Sequence, residues 1–238
     1  MTNLIKAEGI IINKKDIGDF DRIITMFTGS FGKIDVLIKG IRKSRKRDKI
    51  GADILSFSRV VVYKKENSYV GSSIESVKSY SEIREDMNKI GVVLYMFHVL
   101  NNILTENERK STLYDLTLKS LDYIAKEKNK TNYTVLLVYY LHKIILEEGL
   151  KFVLDENEEG QNFSIKNSVI SKELYGDSIK LNNDEYNIIK KLYFNKVKEL
   201  LKENPDIRWL YSVLSIYEKY LNYHIETYLD LKNYILEA

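Results

Sequence analysis

Seven cations and one acid fall within the eleven residues KGIRKSRKRDK, Lys39 to Lys49, and nothing else in the 238-residue chain resembles this run. Like charges packed so closely repel one another, so the run stands only where water and counterions screen it or where a partner brings negative charge. The chemistry it offers is phosphate recognition. Arg42, Arg45 and Arg47 can donate in pairs to phosphate oxygens and lie flat on bases, whereas Lys39, Lys43, Lys46 and Lys49 act as point charges. The plainer alternative is a solvated surface loop. Aromatics are interleaved in the same first 80 residues, among them Phe20, Phe31, Phe57, Tyr63 and Tyr69. Half or more of them are expected in a core, with Phe31 in a tight turn and Phe20 in a polar turn expected at the surface. A basic groove lined with such platforms binds single strands.

Two other groups of residues have types that do chemistry. Asp16, Asp19 and Asp21 in DIGDFDR lie close enough to hold Mg²⁺ for a nuclease. The competing reading is a polar turn whose carboxylates bond local amides, with the neighbouring cations drawing them away from a metal. His98, His142 and His224 fall in helical patterns far apart in the chain, without supporting carboxylates, and read as packed residues. No GxSxG, Walker A, GxGxxG or HExxH pattern occurs. Neither catalysis nor a cofactor, metal or small-molecule substrate is expected.

The elements that must position the basic run read as strands. IKAEGIIIN, RIITMFT, KIDVLIK, LSFSRVVVYK and SYVGSSIESVK give five strands in about 80 residues, and the run sits between the third and fourth. GSFG, with Gly29 and Gly32 at positive φ, connects the second and third. KIDVLIK alternates, with Ile34, Val36 and Ile38 on one face. LSFSRVVVYK also alternates, with Leu55, Phe57, Val61 and Tyr63 on one face against Ser56, Ser58 and Lys64 on the other. KKEN supplies the next turn, and Gly9 and Gly71 mark bends or bulges. Five short strands of this length suit a small closed barrel.

From about Ser79 the period becomes helical. SYSE predicts a capping box between Ser79 and Glu82, opening one helix through Ile83, Met87, Ile90, Leu94, Phe97, Leu100 and Leu104. Further helices are predicted near 112–126, over 132–148 with Gly149 as the stop, and over 184–202. Asn204 as N-cap and Pro205 at the first helical position predict a last helix. Residues 151–182 have no helical period and form an irregular insert.

Bulk composition bounds the function. Apolar residues at 44% and charged residues at 30% indicate a folded, soluble chain. No apolar run approaches the roughly 20 residues that span a bilayer, and MTNLIKAEG lacks the apolar core of a signal peptide. The absence of cysteine excludes disulfides and thiolate chemistry and fits a reducing cytoplasm. Residues 1–80 carry 16 Lys/Arg against 9 Asp/Glu, whereas the rest carries 21 against 25. A basic module on an acidic remainder is the asymmetry of a protein that meets a polyanion through one part.

GIIINKKDIGDFDRIITMFTGSFGKIDVLIKGIRKS resembles the N-terminal domain of the RecO family of bacterial recombination mediators. The resemblance is carried by Gly9 and its aliphatic run, Gly18, Asp21-Arg22, Phe27-Thr28, Gly32-Lys33-Ile34 and Lys39-Gly40. LEEGLKFVLD resembles the family segment leading into a zinc-binding insert, and YEKYLNYHIE its closing helix. The resemblance implies an α+β chain, with a five-stranded OB-fold barrel over 1–80 and an all-helical domain over 81–238. It implies binding of single- and double-stranded DNA, annealing of complementary strands, partnership with RecR, recognition of the C-terminal tail of single-strand-binding protein, and through these the loading of RecA. A cytoplasmic, nucleoid-associated place follows. The nucleic-acid-binding set is Lys33, Lys39, Arg42, Lys43, Arg45, Lys46, Arg47, Lys49 and Phe31. By analogy a partner groove lies among the helices over 132–148 and 184–202.

The insert departs from the family. LDENEEGQNFSIKNSVISKELYG has no cysteine pair, and Ser171 to Leu174 occupies the second pair's spacing. The carboxylates Asp155, Glu156, Glu158 and Glu159 suit a hard cation rather than structural zinc, so packing is expected to hold the insert. An RNA- or ribosome-binding OB protein, the Mg²⁺ nuclease and a purely protein-binding adaptor remain the alternatives.

Overall fold

The computed structural model describes residues 4–65, 68–154 and 161–235. The first element, β1 (Leu4–Ile17), is long enough to pair with two strands at once. It runs antiparallel to β2 (Asp21–Thr28) and to β4 (Phe57–Lys65), and β2 pairs with β3 (Gly32–Ile38). The last strand, β5 (Ser68–Lys78), is antiparallel to β4 and closes the barrel through a parallel pair with β3, Val36 to Tyr69 and Leu37 to Val70. The order β1-β2-β3-β5-β4, returning to β1, is that of an OB-fold.

Alternation explains what fills this barrel. Ile34, Val36 and Ile38 of β3 point inward, as their spacing predicts, and meet Ile11, Ile24, Met26, Val60, Val62 and Ile74. In β4 the face that carries the serine is the inward one: Ser58, Val60 and Val62 are buried, while Phe57, Val61 and Tyr63 are half-buried. Ser56 and Ser58 are both buried, and their hydroxyls are satisfied there. Ser56 donates to the Ile50 carbonyl at 2.7 Å and Ser58 to that of Gly51 at 2.7 Å, so neither carries the cost of a bare buried hydroxyl. Leu55 is buried before the strand starts, at φ 67°.

Gly32 has φ +68°, as GSFG requires, but Gly29 does not lie at positive φ; a side chain there would meet the Tyr114 ring at 3.0 Å. The register shifts beside Gly71, and at Gly9 a Cβ would stand 2.3 Å from the Phe27 carbonyl oxygen. The turn KKEN runs into Glu66 and Asn67, which lie outside the described residues.

Residues 1–125 and 126–238 form two compact units. In the first, α1 (Ser81–Arg84), α2 (Met87–Ile103) and most of α3 (Ser111–Lys126) join the barrel. The capping box predicted at Ser79 does not form. Tyr80, in the left-handed region at φ 48°, is the N-cap and makes no side-chain cap bond, and Arg84 Nε takes the Ser79 carbonyl instead. The single helix predicted through Met87 is broken, because Asp86 is extended and caps α2 by accepting from the Asn88 and Lys89 amides. Met87 is exposed. Phe27 meets Tyr114 edge-on at 5.4 Å, and Lys78 pairs with Asp122 at 2.5 Å. Burial pushes the Tyr114 hydroxyl up to about 12.

The second unit holds α4 (Lys130–Glu147), α5 (Asn183–Tyr193), α6 (Val197–Glu203) and α7 (Ile207–Ile225). Gly149 follows α4 at φ +73°. The helix predicted over 184–202 is two, because the chain turns at Asn195 in the left-handed region, φ 58°, which asparagine tolerates. Asn204 ends α6 rather than starting α7. The N-cap is Asp206, which accepts from the Arg208 amide at 2.9 Å, with Pro205 one step before it.

The insert pairs into a small sheet, β6 (Val153–Leu154), β7 (Asn162–Ser164), β8 (Val169–Ser171) and β9 (Ser178–Lys180), in the order β6-β8-β7-β9. Aromatic rings hold it. Phe152 and Phe163 lie 5.1 Å apart, Phe163 stacks on Tyr220 at 5.3 Å, and Phe152 also meets Tyr193, Tyr217 and His142. The Tyr220 hydroxyl donates to the Leu150 carbonyl at 2.9 Å and lies 2.8 Å from the Ser168 hydroxyl. The donor chemistry does not fit zinc. At the spacing of the second cysteine pair stand a buried Ser171 hydroxyl with no hydrogen-bond partner among the described residues and an exposed Leu174. Asp155, Glu156, Glu158 and Glu159 lie outside the described residues.

Candidate nucleic-acid interface

The basic run leaves β3 through Gly40, whose φ of +67° makes the turn and whose amide donates to the Asp21 carboxylate at 2.7 Å. Ile41 then plugs into the barrel core, 1% exposed. Arg42 bonds the β1–β2 turn twice: its amide donates to the Phe20 carbonyl at 3.0 Å and its guanidinium to that of Gly18 at 2.5 Å. Ser44 folds the middle of the run, its hydroxyl accepting from the Lys46 and Arg47 amides at 3.2 and 3.0 Å. Arg47 reaches back to the Lys39 carbonyl at 2.5 Å. Asp48, the run's acid, is spent on backbone: it accepts from the amides of Gly51 at 2.9 Å and Ser76 at 2.7 Å, tying the exit of the loop to β5. Ala52 closes the loop with a second buried plug.

The seven cations therefore divide. Arg42 is shared with Asp16 at 3.2 Å, and Asp16 also takes Arg22 at 2.7 Å; the Arg22 hydrogen bond holds the Asp16 carboxyl below its ordinary range. Arg47 braces the loop. Lys43 stands 3.9 Å from the centroid of the Phe20 ring. Lys39, Arg45, Lys46 and Lys49 are exposed and form no ion pair among the described residues. Their chain is fixed while their charge is uncompensated.

Two other candidate residues are placed elsewhere. Lys33 turns toward α2 and donates to the Asn101 carbonyl at 2.9 Å; burial lowers its ammonium's pKa. Phe31 is half-buried against the barrel core rather than exposed. Phe20 is the exposed aromatic, at 49%. Two of the three aspartates of DIGDFDR are drawn by partners from across the fold, which spacing alone does not show: Asp16 takes Arg42, and Asp21 bonds Gly40, nineteen residues on. In the second unit His142 is 1% exposed, its Nδ1 3.1 Å from the Tyr217 hydroxyl, and burial pushes its pKa down to about 4. His224 Nε2 lies 2.9 Å from the Ile165 carbonyl. A cavity of about 180 Å³ among α5, α6 and α7 is lined by Ile188, Leu200 and Trp209 together with Asp184, Glu203 and Asp206. No described helix is long and apolar enough to cross a membrane.

Two family profiles cover this chain. The one described as recombination protein O N terminal matches residues 1–80, and the one described as recombination protein O C terminal matches residues 84–232. The DNA repair protein RecO of Acetivibrio thermocellus is 33% identical over 124 residues, which is 52% of this chain and 49% of that protein. That of Caldanaerobacter subterraneus is 28% identical over 151 residues, 63% of this chain and 60% of its own. That of Alkaliphilus metalliredigens is 26% identical over 97% of this chain and 96% of its own. The chain thus spans about half the length of the first relative and nearly all of the third. With a closed five-stranded barrel under the first profile and the helical region under the second, the chain belongs to the recombination protein O family of DNA repair proteins.

Proposed function

We propose that this chain is a non-enzymatic recombination mediator that binds single- and double-stranded DNA through the loop Lys39–Lys49 and anneals complementary strands. The observation that carries the reading is the set Lys39, Arg45, Lys46 and Lys49: four exposed cations with no ion pair among the described residues, on a backbone pinned by Ile41, Asp48 and Ala52. Annealing needs no covalent chemistry. Two phosphate backbones repel, and a cationic surface lowers that barrier while leaving bases free to pair. Family membership supports the remaining steps, namely partnership with RecR, recognition of the acidic tail of single-strand-binding protein, and help in loading RecA in the bacterial cytoplasm. The cavity beside Trp209 is a poor seat for an acidic tail, because Asp184, Glu203 and Asp206 line it against one cation, Lys191, which is already paired with Glu203.

A salt titration of single-strand binding tests the reading. Each phosphate contact contributes a log–log slope of about −0.7. Replacing Lys39, Arg45, Lys46 and Lys49 by Ala is expected to weaken binding and to flatten the slope by as much as about 3 if each residue meets a phosphate. Arg42 and Arg47 are left in place because they hold the loop. An unchanged affinity and slope overturns the assignment. Competition between DNA and RNA strands of one sequence, with a strand-annealing assay, separates this reading from an RNA-binding barrel.

A further inference from the structure

Phosphate contacts attract any polyanion and carry no preference among them. We infer that Phe20 is a base-stacking platform that makes the loop favour unpaired strands over duplex; this rests on the loop being the DNA contact. Of the five aromatics read as candidate platforms, Phe31, Phe57, Tyr63 and Tyr69 are half-buried and Phe20 alone is exposed. Exposure by itself means little, and the ring's placement is what counts. The turn carrying Phe20 is fixed to the basic loop at three points. Arg42 bonds the carbonyls of both Phe20 and Gly18, and Asp16 joins Arg22 to Arg42. Lys43 covers part of the ring from 3.9 Å, a distance at which an ammonium is attracted to an aromatic face.

The result is a flat apolar surface at a set position beside cations. A single strand alternates charged phosphate with flat base, so it can satisfy both at once. A duplex keeps its bases stacked on one another and offers only the phosphates. Stacking does not depend on which base is present, because every base has a π face. Selectivity of this kind therefore discriminates strandedness and not sequence.

The test compares wild type, F20A, F20W and the four-cation loop variant on three probes: a thymidine oligonucleotide, an abasic oligonucleotide of the same length, and a blunt duplex. F20A is expected to bind the thymidine strand roughly 5- to 100-fold more weakly with an unchanged salt slope, and to bind the abasic strand and the duplex as wild type does. F20W is expected to retain binding. In a W209F background its indole fluorescence should be quenched by the thymidine strand and not by the abasic one. If F20A binds all three probes as wild type does, the platform is wrong, and a loop variant that still loses affinity shows that the phosphate reading stands without it. If F20A weakens all three equally, the ring acts by supporting Lys43 and the stacking role is overturned. A loop variant indistinguishable from wild type removes the phosphate reading on its own, whatever F20A does.

Discussion

In the barrel, strands of 7 to 14 residues close on a core of aliphatic side chains, whereas in the insert four strands of two or three residues pair into a sheet too small to stand alone. The barrel's strands each have two neighbours, and β1 and β2 approach so closely that Gly9 leaves no room for a methyl group, while Gly32 lies against the Glu108 backbone after α2. The insert is held from outside its own sheet, by rings on α4, α5 and α7 that surround Phe152 and Phe163. One β element is limited by space and the other by what packs against it. The barrel should be broken by adding atoms and the insert by removing them.

The largest effect is expected from Phe163→Ala, which removes a fully buried ring from the centre of the aromatic cluster and should cost about 3–5 kcal/mol. Trp209, the chain's one tryptophan, lies in the same unit and reports the loss as a lower denaturant midpoint. An unchanged midpoint would refute the aromatic account of the insert.

Next comes His142, packed between Phe152 and Tyr217. Burial holds its ring neutral down to about pH 4 in the folded chain, against an ordinary value of 6.5. Between those values the unfolded chain takes up a proton that the folded one refuses. Stability is therefore full above about pH 6.5, falls as pH drops toward 4 by up to about 3 kcal/mol, and is level below. His142→Leu should flatten that window, as read by Trp209 unfolding at stepped pH.

On the barrel side, Gly9→Ala places a Cβ 2.3 Å from the Phe27 carbonyl, on the strand paired with it, and should cost about 1–3 kcal/mol. Circular dichroism melts measure this, and a neutral Gly9→Ala would show that the strands give way more easily than the comparison supposes. The smallest effect belongs to Arg45→Ala with Lys46→Ala, whose side chains point away from the core; stability should stay within about 0.5 kcal/mol of wild type. A larger loss would mean that the loop's outer cations help to hold the fold.

These elements also show what a sequence can convey. The five strands were legible because β-branched runs alternate with turn residues, and β3 was legible residue by residue. In β4 alternation separates two faces without saying which is inward, because a serine's hydroxyl counts as polar until its carbonyl partner is known, and the partners of Ser56 and Ser58 are the carbonyls of Ile50 and Gly51. Helical spacing ran through Asp86 and Asn195 because periodicity records faces and not breaks. At the candidate site the cations could be listed but not sorted. The division of bracing Arg42 and Arg47 from Arg45 and Lys46, exposed and without an ion pair among the described residues, depends on Gly18, Asp16 and Lys39 being brought near. Phe20 and Phe31 look alike in sequence, since each sits in a turn, and only packing separates them.

The parallel pair that shuts the barrel joins Val36 to Tyr69, and the whole of Lys39–Lys49 lies in the stretch of chain between them. That stretch must fold back on itself before the last seam can form, and seven mutually repelling cations resist being gathered. The loop is therefore expected to slow the assembly of the barrel. Refolding should quicken as added salt screens it, and a stopped-flow rate that stays flat from low to moderate ionic strength would count against this. A feature that suits the finished molecule to a polyanion would then slow that molecule's own making.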